Sequence, residues 1–457
     1  MGTVIRNPYT GERLATIAEY RADQVADEIA ALTAEPPSPR DRAAVLSVAA
    51  GMVRRRRTEF SDLITAESGV CRKETLREVD RAAGNLEVAA AEAERLTGEA
   101  IPLSGAVGKL AVTIAEPAGV VGAITPFNRP LNQVVVKLAP ALAAGNRVIL
   151  KPSEKTPLTA LLFVRLLEEA GLPDGTVAVV TGEPETVGGA IAASPLVDMV
   201  TFTGGPRAGR AVALAAAGKP VLLELGGNDP LVVFADADPA TAAALAVDGA
   251  FATAGQSCRG VKRVLAQAGI ADELVARIVE RAKTKRFGDP GDPETDVGPV
   301  ISEEAAARVT RRVEDAVGKG AKLLHGGGRQ GTLVEPTVLD DVPADAELVV
   351  EETFGPVAPV IRFDDPDEAI ALANSTGYGL QAGVLTHDVD LFLRVARQLR
   401  VGTVNLADGP HFDSPHIPFG GVKGSGIGRE GIRFAMRAMT VTKTLTMPYR
   451  FGAAGKG

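Results

Sequence analysis

Gly119-Val120-Val121-Gly122-Ala123-Ile124, followed at once by Thr125-Pro126-Phe127-Asn128-Arg129-Pro130, sets the class of this chain. The first six residues form a short apolar, β-branched run that reads as a strand, and the next six form a proline-bounded turn that closes it. Comparable runs recur at Arg147-Val148-Ile149-Leu150, Val177-Ala178-Val179-Val180 and Met199-Val200-Thr201-Phe202, and Leu158 to Ala170 reads as a helix between two of them. Strands alternating with helices predict an α/β fold with a parallel sheet and crossover helices. The pattern resumes after Pro230. Strands are expected at 230–234 and 261–265, and helices at 239–254 and 271–285, which makes a second α/β unit beyond the turn-rich break Gly226-Gly227-Asn228-Asp229-Pro230. Residues 20–100 read as helices, with apolar residues at three- and four-residue spacing in 43–52 and 85–96. Thr440 to Thr446 alternates like an exposed strand and is expected to pair with another subunit.

A chain of 457 residues is too long for one hydrophobic core, so two or three domains are expected. Hydrophobic residues at 46% and charged residues at 23% fit an ordinary globular enzyme. A net charge of −8 argues against a nucleic-acid partner, and the run Arg54–Arg57 reads as a solvated helix end. The most apolar run, 139–150, is shorter than the ~20 residues of a membrane span. With two cysteines and no apolar leader, a reducing, cytoplasmic location is expected, with no membrane partner and no metal.

Cys258 is the residue with the sharpest chemistry. It follows Gly255-Gln256-Ser257 and precedes Gly260, which places it in a loop, whereas Cys71 reads as buried and inert. Glu224 lies 34 residues upstream, before Gly226-Gly227. A thiolate attacks an aldehyde carbonyl, and a carboxylate can activate water against the thioester that results. Asn128 can donate to a developing oxyanion. Lys151 and Glu154, in Lys151-Pro152-Ser153-Glu154, can hydrogen-bond two ribose hydroxyls of a dinucleotide; the carboxylate would repel a 2′-phosphate and favour NAD over NADP. Thr203-Gly204-Gly205-Pro206-Arg207-Ala208-Gly209 lets a phosphate approach a helix N-terminus. Two further motifs are Glu351-Glu352-Thr353-Phe354-Gly355-Pro356 and Pro418-Phe419-Gly420-Gly421-Val422-Lys423-Gly424.

Seven motifs in this order are far more specific than any one. The chain resembles the aldehyde dehydrogenase superfamily from about Asn7 to Met447. The resemblance implies an aldehyde dehydrogenase fold: a Rossmann-like NAD-binding domain (1–98 and 118–226), an α/β catalytic domain (227–425) and a small β oligomerisation element (99–117 and 431–457), assembled as a homodimer or homotetramer. It implies Cys258 as nucleophile, Glu224 as general base, and Asn128 with the Cys258 N–H as oxyanion hole. Thr125, Pro126, Lys151, Ser153, Glu154, Thr203, Gly204, Gly209, Leu225, Glu352 and Phe354 would bind NAD, with NADP as the alternative.

The resemblance also places Arg81, Arg129, Gln133, Ser257 and Arg259 along the substrate tunnel. Arginine at three such positions favours an anionic aldehyde, because guanidinium matches carboxylate and phosphate oxygens. The runs Thr125–Gln133 and Glu224–Pro230 look like the phosphonoaldehyde dehydrogenases, with lactaldehyde dehydrogenase-like enzymes close by. The expectation is NAD-linked oxidation of phosphonoformaldehyde or phosphonoacetaldehyde. Oxidation of lactaldehyde or a semialdehyde is the alternative, and a catalytically silent relative the remote one. His411 and His416 are read as exposed loop residues or tunnel neighbours.

Overall fold

Val120–Ile124 is a strand whose every side chain is buried, as a parallel strand covered on both faces requires. The computed structural model describes residues 2–103, 108–412 and 414–448, and in it this strand sits inside a six-stranded sheet. The spatial order is Gly426–Ile427, Val221–Glu224, Met199–Thr203, Val120–Ile124, Arg147–Lys151, Val177–Val179; only the short first strand is antiparallel. The strand order therefore reverses between Val120–Ile124 and Met199–Thr203. Ligands of doubly wound sheets bind at the carboxyl ends of the strands at such a switch point. Two apolar clusters cover the two faces. One is built on the helices Pro39–Arg55, Arg72–Ala93 and Asn132–Ala144, and the other on Ile149, Ile191, Val200 and Phe202.

The second sheet has seven strands, in the order Lys322–His325, Thr337–Asp340, Val357–Phe363, Arg263–Gln267, Pro230–Val233, Gln381–Leu385, Thr403–Leu406. Its first strand is antiparallel and the rest are parallel. The expected strand 261–265 starts two residues late because Lys262 N donates to Asp229 O (3.0 Å) before the ladder begins. The expected helix 239–254 ends at Phe251, where the chain turns into a left-handed segment; the expected 271–285 runs from Ala268 to Lys283. A hairpin of Gly2–Arg6 and Arg13–Ala18 precedes everything and was not expected from the sequence.

Thr440–Pro448 pairs antiparallel with Lys109–Pro117 and stands at the edge of a three-stranded sheet, exposed along nearly its whole length. Residues 104–107 and 449–457 of the expected oligomerisation element lie outside the described residues. No helix among the described residues is long and apolar enough to cross a membrane, and no cluster there has the makings of a metal site.

Candidate active site

The linker after Glu224 carries the chain from the carboxyl end of the first sheet to the amino end of the second. Functional groups of both sheets meet along it. Asn128, in the turn after Val120–Ile124, donates its Nδ2 to the carbonyl of Gln256 at 2.8 Å, which holds the amide two residues from Cys258. A Cβ on Gly227 would overlap the carbonyl of Cys258, so glycine is what lets the linker pass against the nucleophile.

Cys258 is half-buried. Burial pushes its thiol up to about 12, against the pull of Arg259, so the resting sulfur is protonated and needs a base. Glu224 is buried, and neither carboxyl oxygen has a hydrogen-bond partner. Burial first, and Glu430 second, hold its pKa well above the carboxylate range. A carboxylate so placed is a stronger base than an exposed one. Beneath it lies a pair the sequence reading missed. Lys137 Nζ, wholly buried, donates to Glu430 Oε1 (2.8 Å) and Thr201 Oγ1 (3.1 Å). The available signal was a lysine inside an otherwise apolar helix, Asn132–Ala144.

The sulfur opens on a cavity of about 430 Å³, walled by seven cationic side chains (Lys73, Arg77, Arg81, Arg129, Arg259, Arg281, Lys285) and four carboxylates (Glu74, Glu78, Asp248, Asp296). Asn128, Gln133, Ser257 and His411 also line it; His416 does not. An adjoining compartment of about 50 Å³ is bounded by Gln133, Cys258, Arg259, Phe419 and Glu430. Arg81 is exposed at the cavity wall. The Arg259 guanidinium lies 5.6 Å from the Phe419 ring centroid and donates to His411 O at 3.3 Å. Arg129 bonds to Glu74 Oε2 (3.0 Å), and Glu78 Oε2 sits 3.9 Å away. Burial opposes the charge of Arg129, but Glu74 and Glu78 outweigh it and raise the pKa.

The crevice at the switch point suits a dinucleotide. Met199–Thr203 leads through Gly204 and Gly205 into the helix Pro206–Ala215, presenting a helix N-terminus. Thr203 Oγ1 is buried there without a hydrogen-bond partner. A Cβ on Gly209 would overlap the side chain of Leu225, so helix and linker touch closely. On the other flank Thr125 N donates to Lys151 O (3.1 Å), and Ser153 Oγ accepts Lys155 N (3.2 Å). Lys151 Nζ is buried, bonded to Pro152 O (3.2 Å) and 3.9 Å from Glu154. Pro126 borders the same turn, and Phe127 meets Phe354 edge to face at 5.9 Å. Glu352 accepts Gly227 N at 3.3 Å, and burial pushes its carboxyl up to about 7. The residues expected to bind the cofactor thus lie at and after the ends of Val120–Ile124, Arg147–Lys151, Met199–Thr203 and Val221–Glu224 and on the segment around Glu352, and Asn128, Gln133, Ser257 and Arg259 line one cavity with Cys258.

Known proteins resemble this chain along nearly its whole length. Residues 3–445 match the model of the aldehyde dehydrogenase family. The chain is 39% identical to 3-sulfolactaldehyde dehydrogenase of Priestia aryabhattai, over 97% of this chain and 94% of that one. It is 37% identical to lactaldehyde dehydrogenase of Methanococcus maripaludis, over 96% of each. Its fold matches the NADP complex of glyceraldehyde-3-phosphate dehydrogenase from Methanocaldococcus jannaschii with a TM-score of 0.94 and 36% identity, covering 98% and 99% of the two chains.

Proposed function

This chain belongs to the aldehyde dehydrogenase family, and on that premise we propose that it oxidises a short aldehyde carrying a sulfonate or phosphonate group to the carboxylate. It is an NAD(P)-dependent enzyme; the residues around the switch point, Lys151, Glu154, Thr203 and Glu352 among them, would hold the dinucleotide, which when bound would supply a two-electron oxidant. The other steps belong to residues of this chain. Cys258 Sγ bonds to the aldehyde carbon, and its proton passes to Glu224. Asn128 Nδ2 and the Cys258 N–H stabilise the oxyanion. Once two electrons have left, the carbon is a thioester on Cys258. Glu224 gives up the thiol proton to solvent and then takes a proton from water; the hydroxide adds to the thioester carbon, the C–S bond breaks, the carboxylate leaves and the Cys258 thiolate takes a proton back.

The observation that carries the anionic reading is the cavity wall, where cations outnumber carboxylates around the path to Cys258. Glu154, 3.9 Å from Lys151, supports NAD over NADP. The exposed edge strand Thr440–Pro448 supports pairing between copies, as homodimer or homotetramer. A second reading, lactaldehyde as substrate, is favoured by Glu74 and Glu78 beside Arg129, which lower the positive charge of that wall. Steady-state rates with sulfoacetaldehyde, phosphonoacetaldehyde, succinic semialdehyde, lactaldehyde and propanal, each with NAD and NADP, decide between them. The proposal expects kcat/KM for a strong-acid aldehyde to exceed that for lactaldehyde about tenfold or more, the worth of one good charge-assisted contact. Equal values, or a preference for lactaldehyde, would select the second reading.

A further inference from the structure

We propose that Lys262 is a positioning residue that ties the turn carrying the nucleophile to the segment Glu352–Phe354 at the cofactor crevice, so that the two are aligned as one piece. The inference rests on Cys258 as the nucleophile of the reaction proposed above.

Two strained stretches of chain meet beside Cys258. In the first, Thr253 (φ 55), Ala254 (φ 52) and Gly255 (φ 70) all lie in the left-handed region. In the second, Phe354 lies there too (φ 51). A Cβ disfavours that region, most of all on a β-branched or bulky residue. Such conformations persist only where their surroundings over-determine them. The two stretches lie back to back, since a Cβ on Gly255 would overlap the carbonyl of Gly355.

Lys262 reaches both. It is buried, and its Nζ donates to the carbonyl of Gly255 at 2.5 Å. The same ammonium lies 5.3 Å from the centroid of the Phe354 ring, within the range of a cation–π contact. That ring meets Phe127 edge to face, and Phe127 immediately precedes the oxyanion donor Asn128. The backbone N of Lys262 donates to Asp229 O (3.0 Å), in the linker whose Gly227 N donates to Glu352 (3.3 Å). Burial lowers the pKa of Lys262, and Glu352, Cys258 and Asp229 oppose the shift. An ammonium taken out of water carries a penalty that an apolar chain of the same length does not, but the apolar chain could not hold the Gly255 carbonyl. Lys262 lines neither the cavity nor the adjoining compartment. Its influence on the reaction therefore passes through the turn and the ring, not through contact with the substrate.

Alkylation of Cys258 by iodoacetamide, followed by mass on its peptide in enzyme free of dinucleotide, reads the turn directly. Lys262→Met keeps the length of the side chain and loses its charge. It is expected to slow alkylation about tenfold, as a misplaced reacting group does, and to lower kcat for sulfoacetaldehyde and propanal by the same factor. Phe354→Leu removes the ring and should slow alkylation about fivefold, the scale of one cation–π contact. A ring that served only the dinucleotide would leave this rate unchanged. In the double variant the two losses should not multiply: adding Phe354→Leu to Lys262→Met should slow alkylation less than about twofold further. A wild-type rate in Lys262→Met, or losses that multiply in the double variant, would overturn the assignment. If Lys262→Met does not fold, Phe354→Leu decides alone, a slowed alkylation supporting the tie and a wild-type rate rejecting it. No aldehyde takes part in alkylation, so an enzyme inactive toward every aldehyde would sink the proposed reaction and leave this test standing.

Discussion

The crevice of the first sheet and the turn of the second hold neighbouring parts of one site by opposite means. In the crevice the backbone is relaxed: Gly205 has extended geometry (φ −68, ψ 151), and a Cβ there would meet nothing within 4 Å. In the turn Thr253, Ala254 and Gly255 are all left-handed, and a Cβ on Gly255 would overlap the carbonyl of Gly355. A dinucleotide crevice follows from strand order, which any doubly wound sheet supplies. A sulfur aimed at a carbonyl needs a local geometry that the chain does not favour, so side chains far apart in sequence must impose it.

The largest expected effect comes from breaking the turn. Gly255→Ala adds a side chain where both φ and the Gly355 carbonyl oppose it, and should destabilise the chain by about 3 kcal/mol while displacing Cys258. Activity should fall about a hundredfold or more, since small misplacements near reacting atoms cost that much. Gly205→Ala is the matched control and should leave the thermal midpoint and the alkylation rate of Cys258 near wild type. If the two variants behave alike, the contrast between crevice and turn is wrong.

Glu224→Gln sharpens the contrast on the chemical side. It removes a buried base and no hydrogen bond, since neither Glu224 oxygen has a partner. The kcat should fall about a hundredfold or more, the usual share of general-base catalysis. The remaining rate should climb with pH about tenfold per unit, because hydroxide must then do the deprotonation while the Cys258 thiol stays up near 12. A flat pH–rate profile in this variant would reject Glu224 as the base.

A tenfold effect is expected in the crevice. Glu154→Gln removes the carboxylate 3.9 Å from buried Lys151. The ratio of kcat/KM for NAD to that for NADP should drop about tenfold, the order expected when one repulsive charge is lost from a 2′-phosphate site. An unchanged ratio would place cofactor choice elsewhere.

The same contrast explains what the sequence could reveal. The strands Val120–Ile124, Arg147–Lys151 and Met199–Thr203 are continuous apolar runs, and such runs are legible because burial on both faces selects them. Cys258, Glu224, Asn128, Lys151 and Glu154 stood out through local motifs. The charge partners were not. Glu74 lies 55 residues from Arg129, and Glu430 lies 293 from Lys137, and no local pattern joins them. For that reason Arg129 read as a cation facing substrate, whereas the fold sets two carboxylates against it. The left-handed turn escaped notice too, because Thr253 and Ala254 are residues that rarely adopt it.

The smallest expected effect tests whether the crevice is as relaxed as its backbone. Glu67 reaches from the helix Arg57–Ser68 to accept Leu158 N (2.8 Å) and Thr159 N (2.9 Å), at the start of the helix that follows the Lys151–Glu154 loop. Burial outweighs these bonds and pushes its carboxyl from 4.5 up to about 7. A raised carboxyl favours the protonated folded state, so its contribution is full below about 4.5 and is lost as pH rises through about 7. Glu67→Gln cannot ionise. Its thermal midpoint relative to wild type should therefore rise between pH 5 and pH 8 by a few degrees, corresponding to about 1–3 kcal/mol. Because Glu67 bonds to the backbone of Leu158 and Thr159, outside the residues expected to hold the dinucleotide, KM for NAD should stay within about twofold, as for any substitution that touches no binding contact. A large change in that KM would mean that the crevice, like the turn, is held in place by a buried charge.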